Sequence, residues 1–552
     1  MTKIALALAV AFGSGAALAD SNNAAANQTG NNNVANITQD TSYGSNAVSN
    51  QTGDNNTTTV TQQQITGGNA SVGVAGNNNG VTVSQTNTND TTGSTANVGV
   101  TGNSNTVGVT QSNSDNALAT VYQNGDLNTA SVLQKNSTGL QTASINSNGS
   151  SNSATIAQDD SAYAVASISQ DGVGNSATAT QSFGTNVQAS ITQNGGTVGN
   201  SAYTTQVAVS NSSASITQSG NSPWSGYWYG TGGANYANIN QYNGDSLSAT
   251  VSQTNNQDGS ASISQSGQSN TASANQDTTY SSNASIQQQG GWNSASTNQT
   301  NYSWYDSANI VQNGYSLSAS TSQYDSWNSQ ANITQSGGSN SASTSQTYSG
   351  SGSARIQQSG FINQAGISQY DSYSSTAGVA QSGAWNSASI AQSYDWNDYA
   401  SINQSGWGNN ASVNQRADNW YWNSYGNSGI VNQNGYSNSA SSNQLNSTYS
   451  KSEINQNGDS NQASIAQANQ NNGIAVVKQD GIALVANVAQ SGSFNEAYLT
   501  QTGYNNNASV NQSGAGVYGN SNVAKITQSA SNDVASIVQA GGAGNHATIV
   551  QK

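Results

Sequence analysis

The sequence predicts an all-β protein, a β-solenoid of stacked strand-turn-strand coils with amyloid-like cross-β order. Glutamines recur alternately 12 and 11 residues apart, as from Gln323 to Gln335 and Gln346. Within each interval the invariant residues fall at even offsets from the closing glutamine, which is the period of a β-strand. Only 6% of the residues are charged and 33% are hydrophobic, so a conventional globular core is not expected.

The composition also excludes several classes of protein. Disordered chains usually carry high net charge and many prolines, whereas this chain has one proline and few charges, which favours the Gln/Asn-rich, β-prone class. The 8 basic residues are scattered, so nucleic acid is not an expected partner. The chain has no cysteine, so disulfides cannot stabilise the fold.

The first residues have the pattern of a secretory signal peptide, predicted over 1–19. Lys3 precedes an apolar run over residues 4–12 and then small residues. A short segment, 20–27, would separate the signal from the repeats, which are predicted to fill 28–552. The protein is therefore expected to be secreted.

Two arms make a repeat unit of 23 residues, and the shorter arm reads Gln-x-Gly-x-x-Asn-x-Ala-x-x-x-Gln. The glycine allows a tight turn, and the even offsets place the other invariant residues on one face of a strand. Stacked coils would then place glutamine over glutamine and asparagine over asparagine. The residues predicted to form this structural ladder are Gln288, Gly290, Asn293, Ala295, Gln299, Gln335, Gly337, Asn340, Ala342, Gln346, Gln381, Gly383, Asn386, Ala388 and Gln392.

Substitutions between copies indicate that this face is the interior. Val74 and Val100 stand where other copies have the opening glutamine, while the rest of the spacing is kept. Because glutamine exchanges with valine there, the amides are predicted to be buried, with the alternate Ser and Thr facing water. At one coil per unit, residues 20–552 would form about 23 coils, each ~4.8 Å from the next.

Ser282, Gln288, Gly290, Asn293 and the residues that follow to Gln299 resemble the curlin repeat, as do two further copies that end at Gln346 and Gln392. The chain is similar to the curlin family and would be an unusually long member. The resemblance implies an unfolded subunit that leaves a Gram-negative cell through an outer-membrane curli-type export pore. It also implies self-association, or assembly with other curlin-like subunits, into pilus-like curli fibres that serve cell adhesion and biofilm matrix formation.

The repeat falters in three places. The spacing from Gln218 to Gln241 is 23 residues, which predicts a preserved coil count, but Pro223 cannot donate to a ladder, so an irregular coil is expected at 219–240. Longer spacings predict loop insertions near 416–427 and 513–521.

Aromatic and acidic residues gather in the longer turn of the middle repeats and should align along one edge. In one interpretation the stacked rings stabilise the turn and the neighbouring aspartates discourage lateral association. In the other, the chain is a monomeric surface adhesin whose aromatic edge binds carbohydrate, or a host or abiotic surface. The residues of this possible adhesion edge are Tyr324, Trp327, Tyr370, Tyr373, Tyr394 and Trp396.

The sequence does not predict an enzyme. His546 is the only histidine and stands at a variable position, and neither a cysteine nucleophile nor a cluster of metal ligands is evident. Turn aspartates such as Asp159 and Asp160 raise the question of calcium, but the calcium-binding β-roll has aspartate where these turns have asparagine. No catalytic residue, cofactor or metal site is therefore assigned.

Overall fold

The computed structural model describes residues 21–87, 93–137, 139–195, 199–221, 234–418 and 424–552. Within these ranges the regular elements are all β-strands, and none is a helix that could cross a membrane. The chain divides into two compact units, Met1–Tyr280 and Ser281–Lys552, called here the N-terminal and the C-terminal unit. The predicted signal peptide at 1–19 lies outside the described residues.

The N-terminal unit is a parallel β-solenoid in which each coil gives one strand to each of two sheets. Its strands are β1 (Asn23–Thr29), β2 (Val34–Asp40), β3 (Asn46–Thr52), β4 (Thr57–Gln63), β5 (Asn69–Ala75), β6 (Gly80–Thr86), β7 (Thr95–Thr101), β8 (Thr106–Ser114), β9 (Leu118–Asn124), β10 (Thr129–Ser137), β11 (Gln141–Ser150), β12 (Ser153–Asp159), β13 (Ala164–Val173), β14 (Ser176–Ser182), β15 (Gln188–Asn194), β16 (Ser201–Ser210), β17 (Ser213–Asn221), β18 (Tyr236–Asp245), β19 (Ser248–Asn256), β20 (Ser260–Gln268) and β21 (Thr271–Asp277). Odd-numbered strands pair with odd-numbered ones, and even-numbered strands with even-numbered ones.

The C-terminal unit is built in the same way. Its strands are β22 (Asn283–Gly291), β23 (Ser294–Thr300), β24 (Ser307–Tyr315), β25 (Ser318–Tyr324), β26 (Gln330–Gly338), β27 (Ser341–Thr347), β28 (Ser353–Gln358), β29 (Gln364–Tyr370), β30 (Thr376–Ala384), β31 (Ser387–Ser393), β32 (Asp395–Trp396), β33 (Tyr399–Trp407), β34 (Asn410–Arg416), β35 (Ser424–Tyr425), β36 (Ser428–Tyr436), β37 (Ser439–Leu445), β38 (Lys451–Asp459), β39 (Gln462–Asn471), β40 (Ile474–Ile482), β41 (Val485–Ser493), β42 (Asn495–Tyr504), β43 (Asn507–Ser513), β44 (Asn522–Gln528), β45 (Val534–Ala540) and β46 (His546–Gln551). The short strands β32 and β35 pair with each other inside a turn. Because β32 intervenes, β33 joins the even-numbered strands by pairing with β30, and β34 joins the odd-numbered strands by pairing with β31.

Along each strand, side chains that are buried in the interior alternate with side chains on the surface. In β26, Ala331, Ile333 and Gln335 are buried, whereas Gln330 and Thr334 are exposed. The next strand of the sheet, β28, repeats the same residues in register, so alanine lies beside alanine, isoleucine beside isoleucine and glutamine beside glutamine. The predicted all-β solenoid with buried amide ladders is confirmed.

The two units together contain about 22 coils, close to the 23 estimated from length. Part of the chain is an insertion: Gln206 bonds to Gln241, 35 residues further on, and Gln218 bonds to Gln253 at the same interval. Of the irregular coil predicted at 219–240, residues 222–233 lie outside the described residues. The flanking strand β17 stays in register with β19, and β18 with β16, whereas the pairing of β18 with β20 shifts by one residue between Tyr242 and Gly244.

The predicted insertions occur where the coil lengthens. Gln415 bonds to Gln444, 29 residues on, and residues 419–423 of the insertion near 416–427, which include its three aromatic residues, lie outside the described part of the chain. The insertion near 513–521 contains a small antiparallel bridge between Val517 and Asn520, and Tyr518 at its tip is 91% exposed. At the other end, β1 already begins at Asn23, inside the predicted segment 20–27.

Candidate functional site

Two columns of glutamines, buried except at their last members Gln539 and Gln551, run through the C-terminal unit. In both columns each Nε2 donates to the Oε1 of the glutamine in the next coil, over 2.7 to 2.9 Å. The first column consists of Gln288, Gln312, Gln335, Gln358, Gln381, Gln404, Gln433, Gln456, Gln479, Gln501, Gln528 and Gln551. The second consists of Gln299, Gln323, Gln346, Gln369, Gln392, Gln415, Gln444, Gln467, Gln490, Gln512 and Gln539.

The glutamine amides also tie the two sheets together, which the sequence analysis did not predict. Gln335 Nε2 donates a second hydrogen bond, 2.9 Å long, to the carbonyl oxygen of Ser318 in the facing sheet, and Gln381 does the same to Gln364. Each bond contributes about 0.5–1.5 kcal/mol, whereas a buried amide left without partners costs about 1–3 kcal/mol. The repeated glutamine therefore fixes both the stacking register and the distance between sheets.

One glutamine column of the N-terminal unit is interrupted. Val74 and Val100 are buried at glutamine positions, as predicted from their spacing. Gln123 lies between Val100 and Ser147 in the stack, and neither polar atom of its side chain has a partner among the described residues. A broken ladder thus leaves a buried amide unsatisfied, which shows why an unbroken run is favoured elsewhere.

The turn after the first glutamine column depends on glycine and asparagine. Gly337 has φ +96°, and a Cβ there would overlap the carbonyl oxygen of Gly360 in the next coil. Asn340 Nδ2 donates to that same oxygen over 3.0 Å, and its Oδ1 accepts from the backbone N–H of Asn363 over 2.9 Å. The asparagines therefore bond mainly to turn backbone rather than only to one another.

The other residues predicted for the ladder occupy equivalent places. Asn386 Nδ2 donates both to Gly406 O and to Asn363 Oδ1, each over 3.1 Å. The alanines of the motif, Ala295, Ala342 and Ala388, are buried between the glutamine and asparagine columns. The remaining turn positions follow the same pattern, with Asn293 Nδ2 donating to Gly314 and with positive φ at Gly290 and Gly383.

The predicted aromatic edge lies along the longer turn of the C-terminal unit. Tyr324, Tyr370 and Tyr394 belong to one continuous column, which is completed by Tyr348, a residue that the sequence analysis did not single out. Ring centroids of successive members are 5.8, 5.8 and 5.4 Å apart, all edge to face. Tyr348 follows its ladder glutamine by two residues, as Tyr394 does, and this shared spacing was the available signal.

The remaining rings of this edge form a second column beside the tyrosines. Backbone bridges connect Trp327, Gly350, Tyr373 and Trp396 in consecutive coils. A Cβ at Gly350 would lie 2.7 Å from ring atoms of both Trp327 and Tyr373, so these two rings fold over the glycine. Trp327 is 52% exposed and Trp396 is 45% exposed. The structure therefore brings all six predicted edge residues onto one surface.

A second aromatic edge, which the sequence analysis missed, occupies the opposite turn of the C-terminal unit. Its rings stand one or two residues after the turn glycines, and that offset was the signal in the sequence. Six of them, all between 53% and 62% exposed, are Trp292, Tyr315, Phe361, Trp385, Trp407 and Tyr436.

Three aspartates of the longer turn are buried. The interpretation of turn aspartates as surface charges is therefore wrong for Asp395, which is fully buried, as are Asp306 and Asp398. Burial raises the pKa of Asp306 and of Asp398 to about 6. Burial, and then the neighbouring Asp398, hold the pKa of Asp395 well above its usual range. Each of these aspartates stands at a turn position where an adjacent coil has a serine, so its carboxyl lies against serine residues.

Asp306 makes the fold sensitive to pH. Its carboxylate accepts from the Ser329 N–H over 2.8 Å and from the Ser326 hydroxyl over 2.5 Å. The folded pKa of about 6 exceeds the ordinary aspartate pKa of about 3.9, so the stabilising contribution of Asp306 is complete below about pH 3.9 and is lost as the pH rises through about 6.

We therefore expect Asp306→Asn to remove a local pH dependence. At neutral pH the change should stabilise the coil by about 2–3 kcal/mol, since a neutral amide carries no charge to desolvate. Hydrogen exchange of β24 and β26 between about pH 4 and 7.5 would measure this. The partly exposed Asp325, changed to Asn, serves as the control. Equal pH slopes in Asp306→Asn and the parent would contradict the expectation.

Comparison with known proteins identifies the repeat. Residues 486–514 match the family model of the curlin associated repeat. This segment contains the same motif, with Gln490, Gly492, Asn495, Ala497 and Gln501 at the predicted spacing. None of the curated proteins matches the chain. Among the described residues, no group of three or more acidic, histidine or cysteine side chains is placed to hold a metal ion.

Proposed function

The chain is a curlin-like repeat protein, and we propose that it is a structural subunit of extracellular curli-like amyloid fibres. The observation that carries this proposal is the pair of unbroken glutamine columns in the C-terminal unit. Every coil there offers the next one the same row of amide donors and acceptors and the same backbone edge. A coil from a second copy, or from another curlin-like subunit, could therefore add in the same register.

The outermost described strands support addition of this kind. Gln28 and Gln39, in β1 and β2, and Gln539 and Gln551, in β45 and β46, occupy the ladder position but are only half-buried. At both ends the ladder bonds run from the Nε2 of one glutamine to the Oε1 of the glutamine in the following coil. Addition of a second copy should for this reason be head to tail, because reversed copies would face donor with donor.

The proposal also includes the export route of the protein and the role of its fibres at the cell surface. The N-terminal sequence favours secretion, and the curlin repeat favours passage through a curli-type pore of the outer membrane. At the surface of a Gram-negative cell, the fibres would act as a pilus-type appendage in cell adhesion and biofilm matrix. The low charge and the amide-rich coils suit such a role, because insoluble cross-β assemblies persist without disulfides.

Seeded growth tests the proposal. Purified full-length chain should form thioflavin-positive fibres after a lag, and sonicated fibres of the same chain should remove the lag. Oriented fibres should give the meridional cross-β reflection near ~4.8 Å. Gln551→Glu in the seeds should slow elongation at neutral pH, whereas Gln364→Glu, on the solvent face of β29, should not. Monomers that persist under all these conditions would overturn the proposal.

A second candidate is the monomeric adhesin, and the aromatic surface over Gly350 is the observation that favours it. Exposed flat rings on consecutive coils suit the faces of sugar residues in a polysaccharide. The adhesin would be supported if monomers persisted and bound an insoluble polysaccharide, and if Trp327→Ala abolished that binding. Trp292→Ala, on the opposite edge and similarly exposed, is the control.

A further inference from the structure

We propose that one column of tyrosines is a site of oxidative dityrosine cross-linking between successive coils. This tyrosine column consists of Tyr324, Tyr348, Tyr370 and Tyr394. Dityrosine is a carbon–carbon bond between two phenol rings. Such a bond would join coils covalently in a chain that contains no cysteine. The site is distinct from the glutamine columns and does not depend on fibre formation, because its neighbours lie within one chain.

The rings are already in contact. Tyr324 and Tyr348 are 5.8 Å apart between ring centroids, Tyr348 and Tyr370 are also 5.8 Å apart, and Tyr370 and Tyr394 are 5.4 Å apart. Interplanar angles of 79° to 89° point the edge of one ring at the face of the next. The ring edge carries the ortho carbons that couple, so rotation about the side-chain bonds can bring two ortho carbons together.

The backbone holds this arrangement in place. Tyr324 and Tyr370 follow their ladder glutamines directly, whereas Tyr348 and Tyr394 come one position later, so the column alternates between two turn positions. Tyr348 N–H donates to Tyr324 O and Tyr394 N–H donates to Tyr370 O, each over 3.0 Å. Tyr348 and Tyr394 have φ of 52° and 55°, the left-handed conformation that this turn requires.

The column is accessible to an oxidant. Tyr324, Tyr348 and Tyr370 are 39%, 41% and 40% exposed, and Tyr394 is partly exposed. A hydrogen bond with Tyr370 is the main cause that raises the pKa of Tyr394 above its usual value. These exposed phenols can therefore give up hydrogen atoms to a peroxidase or to a radical at the surface.

The reaction balances with hydrogen peroxide as oxidant and a haem peroxidase as catalyst. Each of two phenols loses one hydrogen atom, that is one electron and one proton, and becomes a tyrosyl radical. The two radicals couple through their ortho carbons to give two cyclohexadienone rings, and each ortho proton then moves to the carbonyl oxygen of its ring and restores the aromatic phenol. Peroxide takes up the two hydrogen atoms and is reduced to two molecules of water.

A trypsin site in the chain between Tyr348 and Tyr370 makes a cross-link between these two residues detectable. Trypsin cleaves after Arg355, between these two tyrosines, and gives peptides 136–355 and 356–416. Treatment of the folded full-length chain with peroxidase and peroxide should join these two peptides, with the loss of two hydrogen atoms and with dityrosine fluorescence. A mixture of heavy-labelled and unlabelled chains shows whether the bond forms within one chain or between chains. A bond within one chain gives no cross-linked pair of a heavy and a light peptide, whereas a bond between chains does.

Phenylalanine variants provide the control, because they keep the ring and remove only the hydroxyl. Tyr348→Phe should abolish the cross-linked peptide that contains positions 348 and 370. Tyr504→Phe should leave it unchanged, since Tyr504 is similarly exposed but lies opposite Ile482 in the preceding coil. The proposal is overturned if the joined pair persists in Tyr348→Phe, or if the parent chain yields only mixed-label pairs or no pair at all.

Discussion

Gln335→Glu is expected to open its coil at about pH 7.5 and to be nearly silent at about pH 4, since the new carboxyl is buried and should titrate between these values. In the parent, Gln335 accepts from Gln312 and donates to Ser318 O and Gln358 Oε1. An ionised carboxylate keeps the first of these bonds but places oxygen against oxygen in the other two. The loss should be about 3–5 kcal/mol, as for other uncompensated buried charges.

Protonation restores most of the ladder. A protonated glutamic acid has the shape of glutamine and one O–H that can donate to Gln358, so only the bond to Ser318 is lost, at about 1 kcal/mol. Asp306 supports this titration, because burial in the same solenoid raises its carboxyl pKa to about 6. Gln335→Glu should therefore recover between neutral and acidic pH.

The matched control is in the same strand. Gln330 opens β26 with its side chain in solvent, so Gln330→Glu should change the stability by less than about 0.5 kcal/mol at either pH. Hydrogen exchange of β24, β26 and β28 is the appropriate measurement, because coils in a solenoid unfold locally. If both variants exchange alike at neutral pH, the ladder amides are not buried as described.

The interior face was predictable because every copy repeats it. Gln335, Ile333 and their equivalents fall at even offsets from one another. A strand assigned one residue out of register would have all of these side chains in water. The exchange of glutamine for valine at Val74 indicated that this face of the strand is the buried one. The second hydrogen bond of each glutamine was not predictable, since the sequence does not say which carbonyl of the facing sheet an inward amide meets.

The insertion after β17 misled the sequence analysis for a simple reason. Gln218 and Gln241 are one repeat length apart, yet the structure pairs Gln218 with Gln253. The intervening insertion has about the length of one arm, so the spacing alone imitates a regular coil. Only the ladder register, in which Gln206 meets Gln241, distinguishes an insertion from a coil.

The buried aspartates show a different limit. An aspartate in a polar turn is ordinarily solvated, and nothing in the local sequence of Asp395 suggests otherwise. Its position in the stack does, because Ser372, one coil earlier, is buried in the same column. Alignment of turn positions across coils, rather than inspection of each turn, would have placed the carboxyl inside.

Gly383→Ala is expected to disrupt packing between coils, whereas Gly378→Ala in the same strand, β30, should not. Gly383 has φ +97°, and an added Cβ would overlap Gly406 O and lie 2.9 Å from its carbonyl carbon. Backbone strain of this kind costs about 1–3 kcal/mol by itself. The coil must also move away from its neighbour, which weakens the bonds from Phe361 N and Asn363 Nδ2 to Gly383 O.

The total cost at Gly383 should therefore exceed about 3 kcal/mol, since lost hydrogen bonds add to the strain. At Gly378 no atom lies within 4 Å of the added Cβ, and the backbone is not left-handed. Alanine there should be neutral or stabilising by about 0.4–1 kcal/mol, because it restricts the unfolded chain. Hydrogen exchange of β28, β30 and β33 measures both effects.

The comparison of the two alanine variants isolates the turn, because both remove a glycine from one strand and add the same methyl group. Unequal exchange means that close stacking of turn carbonyls, rather than glycine flexibility, is what the repeat requires at Gly383. The same contact recurs where Gly337 meets Gly360 in the preceding coils. Equal exchange in both variants would mean that successive turns are not in contact, and the glutamine columns beside them could not then keep bonds of 2.7 to 2.9 Å.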